Sequence, residues 1–373
     1  MAARRALRVL MTADTLGGVW TYAVELAREL DARGVSVTLA TMGAPLTRDQ
    51  RAQLSRLKTI TLRESEYKLE WMKDAWEDVE RAGHWLLSVE RQCRPDLVHL
   101  NQFTFGALPF AAPKLVVAHS CVLSWWRAVH GEDAPEEWDT YRGKVTHGLA
   151  CADLVAAPTR AMLDSLVRNY AYAHAGLVIG NGRTPALFRP GEKQPFILAA
   201  GRLWDEAKNL AALQAVAPRL GWPVRLAGST AHPDGGSVLP FSVCCLGELR
   251  SEVLARHMAS AAIYALPARY EPFGLSVLEA ALSGCALVLG DIASLREVWG
   301  PAAAYVRPND HDALRRVLAR LIENSAERAR LAAAAQDRAL HFTAARMADG
   351  YQSAYALLEP GFARPVRGET LCA

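Results

Sequence analysis

Short β-branched or apolar runs alternate with helical stretches from one end of this chain to the other, and the series breaks once and restarts. That alternation restricts the fold to α/β with parallel sheets, because parallel neighbours need a crossover and the crossover is usually a helix. Before the break the strand candidates are Leu7–Met11, Val35–Ala40, Leu97–Leu100, Leu115–Ala118, Leu154–Ala157 and Leu177–Ile179, with helical patterns over Thr21–Asp31, Asp74–Gln92 and Arg160–Asn169. The break, NGRTPALFRPGEKQP (181–195), is rich in Gly, Pro and charge and reads as an interdomain linker. After it come strand candidates Phe196–Ala200, Val224–Ala227, Ala262–Leu266, Ala286–Leu289 and Ala303–Val306. Helical candidates there are Asn209–Ala217, Ser251–Ser260, Leu275–Ser283 and His311–Ile322, and Ala326 to Leu358 is helical by pattern. The expected fold is two doubly wound, Rossmann-type α/β domains facing across a cleft, with ligands at the carboxyl ends of the strands. The boundaries are 1–184, a linker at 185–195, 196–345, and a C-terminal helical segment at 346–373; a chain of 373 residues suffices for two cores.

The most specific segment is Arg269-Tyr270-Glu271-Pro272-Phe273-Gly274-Leu275-Ser276-Val277-Leu278-Glu279-Ala280. From Pro272 to Gly290 the run PFGLSVLEAALSGCALVLG holds a single charge, Glu279. A helix that is apolar nearly all round is buried, so a carboxylate on it must be paired, hydrogen-bonded or facing a cleft. The turn ending at Gly274 leaves the backbone N–H groups of the helix start open at the positive end of the dipole, where a phosphate can sit. The segment therefore offers an anion cradle and, about one and a half turns further on, a carboxylate able to accept from hydroxyls. A nucleotide sugar presents both a diphosphate and a ribose diol. The competing reading is a core helix whose one glutamate is satisfied by a neighbour.

This E-x7-E pattern, with Pro-Phe-Gly after the first Glu and Glu-Ala-x-x-x-Gly at the second, resembles the retaining glycosyltransferases of the GT-B fold, family 4. The resemblance runs from Gly17-Gly18 to the helix carrying Glu279 and is strongest between Arg202 and Glu297. It implies sugar transfer from a nucleoside diphosphate sugar to an acceptor hydroxyl (of a glycan, a lipid-linked sugar or a small molecule) with retention at the anomeric carbon. Glu279 then holds the ribose hydroxyls and Glu271 the sugar hydroxyls near the reacting carbon, with Gly274 and Leu275 at the leaving diphosphate and Phe273 and Ser276 also binding the donor. It also implies a C-terminal helix that crosses back to the first domain.

Other positions fit this frame. Gly17-Gly18 follows the first strand, where glycine lets backbone approach a phosphate or sugar, or merely makes the turn. The sequence there is not G-x-G-x-x-G, so a dinucleotide fingerprint is poorly supported. Arg202 and Lys208 lie just beyond a strand end, suited to neutralise a departing diphosphate, unless Asp205 and Glu206 pair them off. His119 ends its strand and can hydrogen-bond a sugar hydroxyl or move a proton; many family members follow this histidine with an aspartate, whereas here Ser120 follows. His99 reads as structural, with Asn101 two residues on able to face the cleft. The segment 120–142 carries Trp125, Trp126, Trp138 and Tyr141 and reads as a loop for acceptor recognition, with domain packing the alternative. Gly228 and its small neighbours leave room for a base or ribose, and Leu246 resembles the family's base-covering segment. Ser294-Leu295-Arg296-Glu297 stands where family members carry a Gly-x-x-Glu element, with Ser294 in place of the glycine, so no catalytic role is carried onto it.

A formal net charge of +3 is too small to argue for nucleic acid. Arg4, Arg5, Arg8, Arg48, Arg51, Arg56, Lys58 and Arg63 concentrate basic charge in the first half, as solvated faces or as contacts to an anionic membrane surface. The seven cysteines include no C-x-x-C pair, most lie in apolar surroundings, and the expectation is free thiols in a reducing compartment. The apolar run near the start is brief and falls where a first strand belongs, so neither a signal peptide nor a membrane span is expected. The expectation is a soluble cytoplasmic protein, with peripheral contact at the inner membrane face left open, and no cofactor. No D-x-D motif or metal-ligand spacing is present, so metal-independent transfer is expected. The rival activities are a nucleotide-sugar epimerase, a phosphorylase or a nicotinamide-dependent oxidoreductase, and outside catalysis a nucleotide-sugar-binding scaffold.

Overall fold

The computed structural model describes residues 6–232 and 235–362; Arg4, Arg5, Cys372 and the end of the C-terminal segment, 363–373, lie outside the described residues. The first sheet is built from β1 (Arg8–Asp14), β2 (Ser36–Met42), β3 (Ile60–Glu64), β4 (Leu97–Leu100), β5 (Lys114–Val117), β6 (Leu154–Ala157) and β7 (Leu177–Val178). The second is built from β8 (Gln194–Ala200), β9 (Val224–Ala227), β10 (Cys244–Gly247), β11 (Ala261–Leu266), β12 (Ala286–Gly290) and β13 (Ala304–Val306). Their orders are β3-β2-β1-β4-β5-β6-β7 and β10-β9-β8-β11-β12-β13, parallel throughout. Two doubly wound α/β domains were expected, and two parallel sheets with helices are present. The strand order of each sheet reverses once, between β1 and β4 and between β8 and β11. Ligands of such sheets bind at these switch points, beyond the carboxyl ends of the strands.

The helices of the first half are α1 (Gly18–Ala32), α2 (Arg48–Leu54), α3 (Trp76–Cys93), α4 (Val122–His130), α5 (Asp139–Ala150) and α6 (Arg160–Tyr170). Those of the second half are α7 (Leu210–Val216), α8 (Ser251–Ser260), α9 (Leu275–Leu282), α10 (Ala293–Trp299), α11 (His311–Glu323), α12 (Ser325–Ala339) and α13 (Ala344–Leu358). The central strands are buried on both faces, as helix-covered parallel sheets require: Leu10, Met11, Ile197, Leu198, Ile263 and Leu266 are fully buried. Among the described residues no helix is long and apolar enough to cross a membrane.

The helical pattern over 326–358 resolves into two helices rather than one. α12 ends at Ala339, and Thr343 restarts the chain as the N-cap of α13, its hydroxyl accepting from the Arg346 N–H. α13 then packs on the first domain: Met347, Tyr351 and Tyr355 join the core of β1 and α1, and Arg33 of α1 reaches Asp349 at 2.7 Å and the Ala345 carbonyl at 2.9 Å. The tryptophan-rich segment 120–142 is not a loop: α4, a single 3-10 turn and the start of α5 occupy it. The burial expected for the cysteines holds for Cys121 and Cys285, but Cys244 and Cys245 are exposed. They lie on β10, which pairs only with β9 and so stands at the sheet edge. All six described cysteines are free.

Candidate active site

Strand ends of both sheets converge on the cleft. After β1 the chain turns through Gly17, whose φ of 76° only glycine adopts without strain, and α1 starts at Gly18. A Cβ on Gly17 would lie 3.7 Å from Arg202 Nη1, and one on Gly18 would lie 3.6 Å from the Leu275 side chain. The glycine turn of the first domain therefore faces both Arg202 and the start of α9. Gly274, at φ 91°, provides the N-cap of α9 without a side-chain cap, which leaves the helix N–H groups open.

Behind Arg202 a short 3-10 turn, Glu206–Lys208, aims Lys208 at Glu271; Nζ and Oε2 are 2.6 Å apart. The lysine is thus paired by the first glutamate of the E-x7-E segment and not by Glu206. Arg202 is paired by Asp205 at 2.6 Å, and its guanidinium lies 5.1 Å from the Trp204 ring centre. Burial alone would raise the Asp205 carboxyl, but Arg202, Lys208 and the Trp125 indole together hold it below the usual carboxylate range.

The Trp125 N–H donates to Asp205 Oδ1 at 2.9 Å, which joins α4 of the first domain to the phosphate loop of the second. An acceptor sugar cannot take that N–H without breaking the tie. Trp126 packs against His130 with ring centres 4.5 Å apart, and its buried N–H has no partner. Three further contacts span the domains. The Tyr270 hydroxyl accepts from the Cys121 N–H at 3.1 Å, and the Thr159 hydroxyl donates to the Pro272 carbonyl at 3.1 Å. The Glu297 carboxylate accepts from the Arg160 and Ala161 N–H groups at 2.6 and 2.9 Å. Ser294 donates its hydroxyl proton to the Glu271 carbonyl at 2.6 Å.

Glu279 is nearly buried on α9 and ion-paired with Arg183 at 2.8 Å. The same guanidinium meets Glu25 of α1 at 2.7 Å, and Thr184 donates to the second Glu25 oxygen at 2.7 Å. Burial raises the Glu279 carboxyl above the usual range and Glu25 adds to that, while Arg183 opposes both. Sequence reasoning placed Arg183 in the linker and missed it; no local pattern announces a contact to helices more than ninety residues away in both directions.

His119, just beyond β5, is half-buried, and Asn101 beyond β4 lies 2.7 Å from its Nε2. Burial pulls the imidazole down to about 3, so the ring is neutral. His99 is fully buried between the Tyr22 and Tyr355 hydroxyls, at 3.0 and 2.7 Å, as a structural histidine. A second missed residue is Asp14 at the end of β1. Burial lifts its carboxyl to about 7, which the hydrogen bond from Gln102 and the charge of Arg202 only partly offset.

Several donor-side positions have packing reasons of their own. A Cβ on Gly228 would fall 1.7 Å from the Gly201 carbonyl oxygen, so this glycine is required by backbone against backbone. Phe273 is buried edge-on to Phe342, with ring centres 5.4 Å apart. Ser276 accepts from the Tyr264 hydroxyl at 2.8 Å, and Leu246 packs on the second core from the edge strand. Among the described residues no group of three His, Cys, Asp or Glu side chains could hold a metal ion.

The Glycosyltransferase Family 4 model matches residues 16–186, and the Glycosyl transferases group 1 model matches residues 238–338. Together they cover most of the chain and both sides of the cleft. The chain belongs to glycosyltransferase family 4. It is a transferase of GT-B architecture. Over 86 residues it is 41% identical to an MMP alpha-(1->4)-mannosyltransferase of Mycolicibacterium hassiacum, a match spanning 22% of this chain and only 21% of that relative. A glycogen synthase of Mycobacterium tuberculosis is 29% identical over 290 residues, 69% of this chain and 68% of that protein. Among solved structures, Anabaena Alr3699/HepE in complex with UDP and glucose superposes with a TM-score of 0.75 at 15% identity, covering 94% of this chain and all of that one.

Proposed function

We propose that this glycosyltransferase moves a sugar from a nucleoside diphosphate sugar to an acceptor hydroxyl, with retention at the anomeric carbon and without a metal ion. The observation that carries this reading is the convergence of Arg202, the Lys208–Glu271 pair and the open start of α9 on the Gly17-Gly18 turn. Two cations and a helix N-terminus form a preorganised site for charge that develops on a leaving diphosphate. They do in fixed positions what a metal ion does elsewhere.

Glu271 already has one oxygen on Lys208, which favours a charge-balancing and hydroxyl-holding role over that of a covalent nucleophile. Retention then follows from attack on the face the diphosphate leaves. The bond from the anomeric carbon to the phosphate oxygen breaks, the acceptor oxygen bonds to that carbon, and the acceptor proton passes to the departing phosphate. Contacts at Trp125–Asp205 and Tyr270–Cys121 join the two domains across the cleft, and a closed cleft keeps water from competing with the acceptor. The known complex of the Anabaena relative makes UDP the first nucleotide to try. We further propose that the reaction is cytoplasmic, with a glycan, a lipid-linked sugar or a small molecule as acceptor.

Thermal shift with UDP, GDP, ADP and TDP on the full chain tests the donor site, repeated on Glu279→Ala. Stabilisation by one nucleotide, weakened at least tenfold in apparent affinity in the variant, is expected for a carboxylate that accepts from the ribose diol. Equal stabilisation of both proteins removes Glu279 from the site, and no stabilisation by any nucleotide overturns the donor assignment.

A further inference from the structure

The surroundings of His119 determine which of its ring nitrogens carries the proton. Asn101 donates its side-chain Nδ2–H to the Thr12 carbonyl at 2.5 Å, while its backbone N–H donates to the Thr12 hydroxyl at 2.9 Å. A flipped amide would set Asn101 Oδ1 against the Thr12 carbonyl oxygen, two acceptors in a buried place, which is strongly unfavourable. Oδ1 therefore faces His119 Nε2, at 2.7 Å, and can only accept. Nε2 must carry the hydrogen, and Nδ1 is left with its lone pair. Among the described residues no hydrogen bond reaches that Nδ1. The ring itself is held edge-on by Tyr22 of α1, with centres 4.4 Å apart.

We infer that Asn101 is the positioning residue that fixes His119 as its Nε2–H tautomer, so that Nδ1 accepts a hydrogen bond from a hydroxyl of the donor sugar. The hydroxyl partner rests on the function proposed above; the tautomer does not. A neutral ring that can only accept selects a hydroxyl-bearing sugar at that point and disfavours a carboxylate or phosphate there, whose lone pairs would meet its own. The titratable groups facing His119 are His99 of β4 and Tyr22 of α1, joined through the Tyr22 hydroxyl; His99 is also neutral, pulled down to about 3 by burial. Neither supplies a competing proton near neutral pH.

Nitrogen-15 NMR of the histidine side chains in the full-length protein reads the tautomer directly, with the His119 signals assigned by their loss in His119→Gln. The expected pattern from pH 5.5 to 8 is a protonated Nε2 and a bare Nδ1. Asn101→Asp keeps the outline at the cost of the bond to the Thr12 carbonyl, and where it ionises it sets a carboxylate against Nε2–H, which favours the charged ring and raises its pKa towards neutrality. Because the imidazolium cannot accept, kcat/KM for the nucleotide sugar should then fall as pH drops through the new pKa, about tenfold per unit. The wild type should lack that acidic limb. Asn101→Ala frees the ring to exchange tautomers and should lower kcat/KM about tenfold while thermal melting shows a folded protein.

A proton on Nδ1 in the wild type overturns the inference whatever the enzyme turns over, and so does a folded Asn101→Ala protein that keeps the wild type's kcat/KM. An Nε2–H tautomer in a protein that neither binds nor turns over any nucleotide sugar overturns the transfer reading and the sugar contact with it, while the role of Asn101 in fixing the ring stands.

Discussion

At the scale of single residues the cleft contains groups whose ionisation is set by burial rather than by the solvent. Asp14 is the clearest. Its folded carboxyl keeps its proton to about pH 7, against an ordinary value of 3.8, because burial outweighs the Gln102 hydrogen bond and the Arg202 charge. A native group that binds its proton more tightly than the unfolded one stabilises the fold below the lower value, and that stability is lost as pH rises through the higher one. Asp14→Asn carries a neutral amide at every pH and keeps a partner for Gln102. The variant should melt with the wild type at pH 4 and above it at pH 8, by on the order of 2–4 kcal/mol, as measured by thermal unfolding at both values. Equal melting temperatures at pH 8 would mean that the charged carboxylate is already well accommodated, with Arg202 as the obvious partner.

At the scale of elements the two domains meet through helix starts and strand ends, and one junction has an unusual donor and acceptor. Thr159 is the N-cap of α6, its hydroxyl accepting from the Met162 N–H. The next two N–H groups, of Arg160 and Ala161, are taken by Glu297 from α10 of the other domain. A carboxylate at a helix N-terminus satisfies orphan donors and complements the dipole, worth about 1 kcal/mol in a cap and somewhat more with charge. Glu297→Ala should therefore lower stability by about 1–2 kcal/mol, read as the denaturant midpoint. Glu297→Gln should recover part of that loss, whereas a Glu297→Ala protein as stable as the wild type would show that the domains do not rely on this cap. This junction also marks how far local pattern carries. The strands of both sheet centres and the helices α1, α3, α6, α8, α9 and α11 were legible because each is a long apolar or strongly periodic run. β3, with the sequence ITLRE, was not: it is an edge strand with two charges in five residues and little to bury. α4 was read as a loop because its tryptophans suggested a binding surface, although Cys121 caps it and Gly131 ends it in the left-handed conformation. The site residues on strand ends could be named because topology dictates where strand ends point. Their partners Asp14 and Arg183 depend on contacts between distant segments, which spacing along the chain does not encode, and Asn101 could be put at the cleft but not against His119.

At the scale of the whole molecule, Arg183 is where the domains, the linker and the returning helix meet. Its backbone pairs with the start of α13, accepting from the Ala344 N–H at 3.0 Å and donating to the Phe342 carbonyl at 3.1 Å. Its side chain lies between Glu25 of the first domain and Glu279 of the second, stacked over Phe188 at 4.9 Å. Two buried carboxylates share this guanidinium, and Arg28, half-exposed at 3.3 Å from Glu25, is a lesser partner. Removing the cation as Arg183→Met leaves both acids buried in one place, a loss on the order of 3–5 kcal/mol. One of them must then take a proton near neutrality. Glu279, already raised by burial and by Glu25, is the one that loses its main compensating charge. If its carboxylate accepts from the donor's ribose, nucleotide affinity in Arg183→Met should weaken as pH falls from 8.5 to 6, whereas the wild type changes less over that interval. Adding Glu25→Gln removes the repulsion without restoring the cation, so the double variant should regain stability over the single one and lose part of its pH dependence. Thermal unfolding gives the first quantity and titration calorimetry at the two pH values the second. Recovery of stability without any change in the nucleotide's pH dependence would separate the roles, leaving Arg183 as the tie between the domains and Glu279 as indifferent to it.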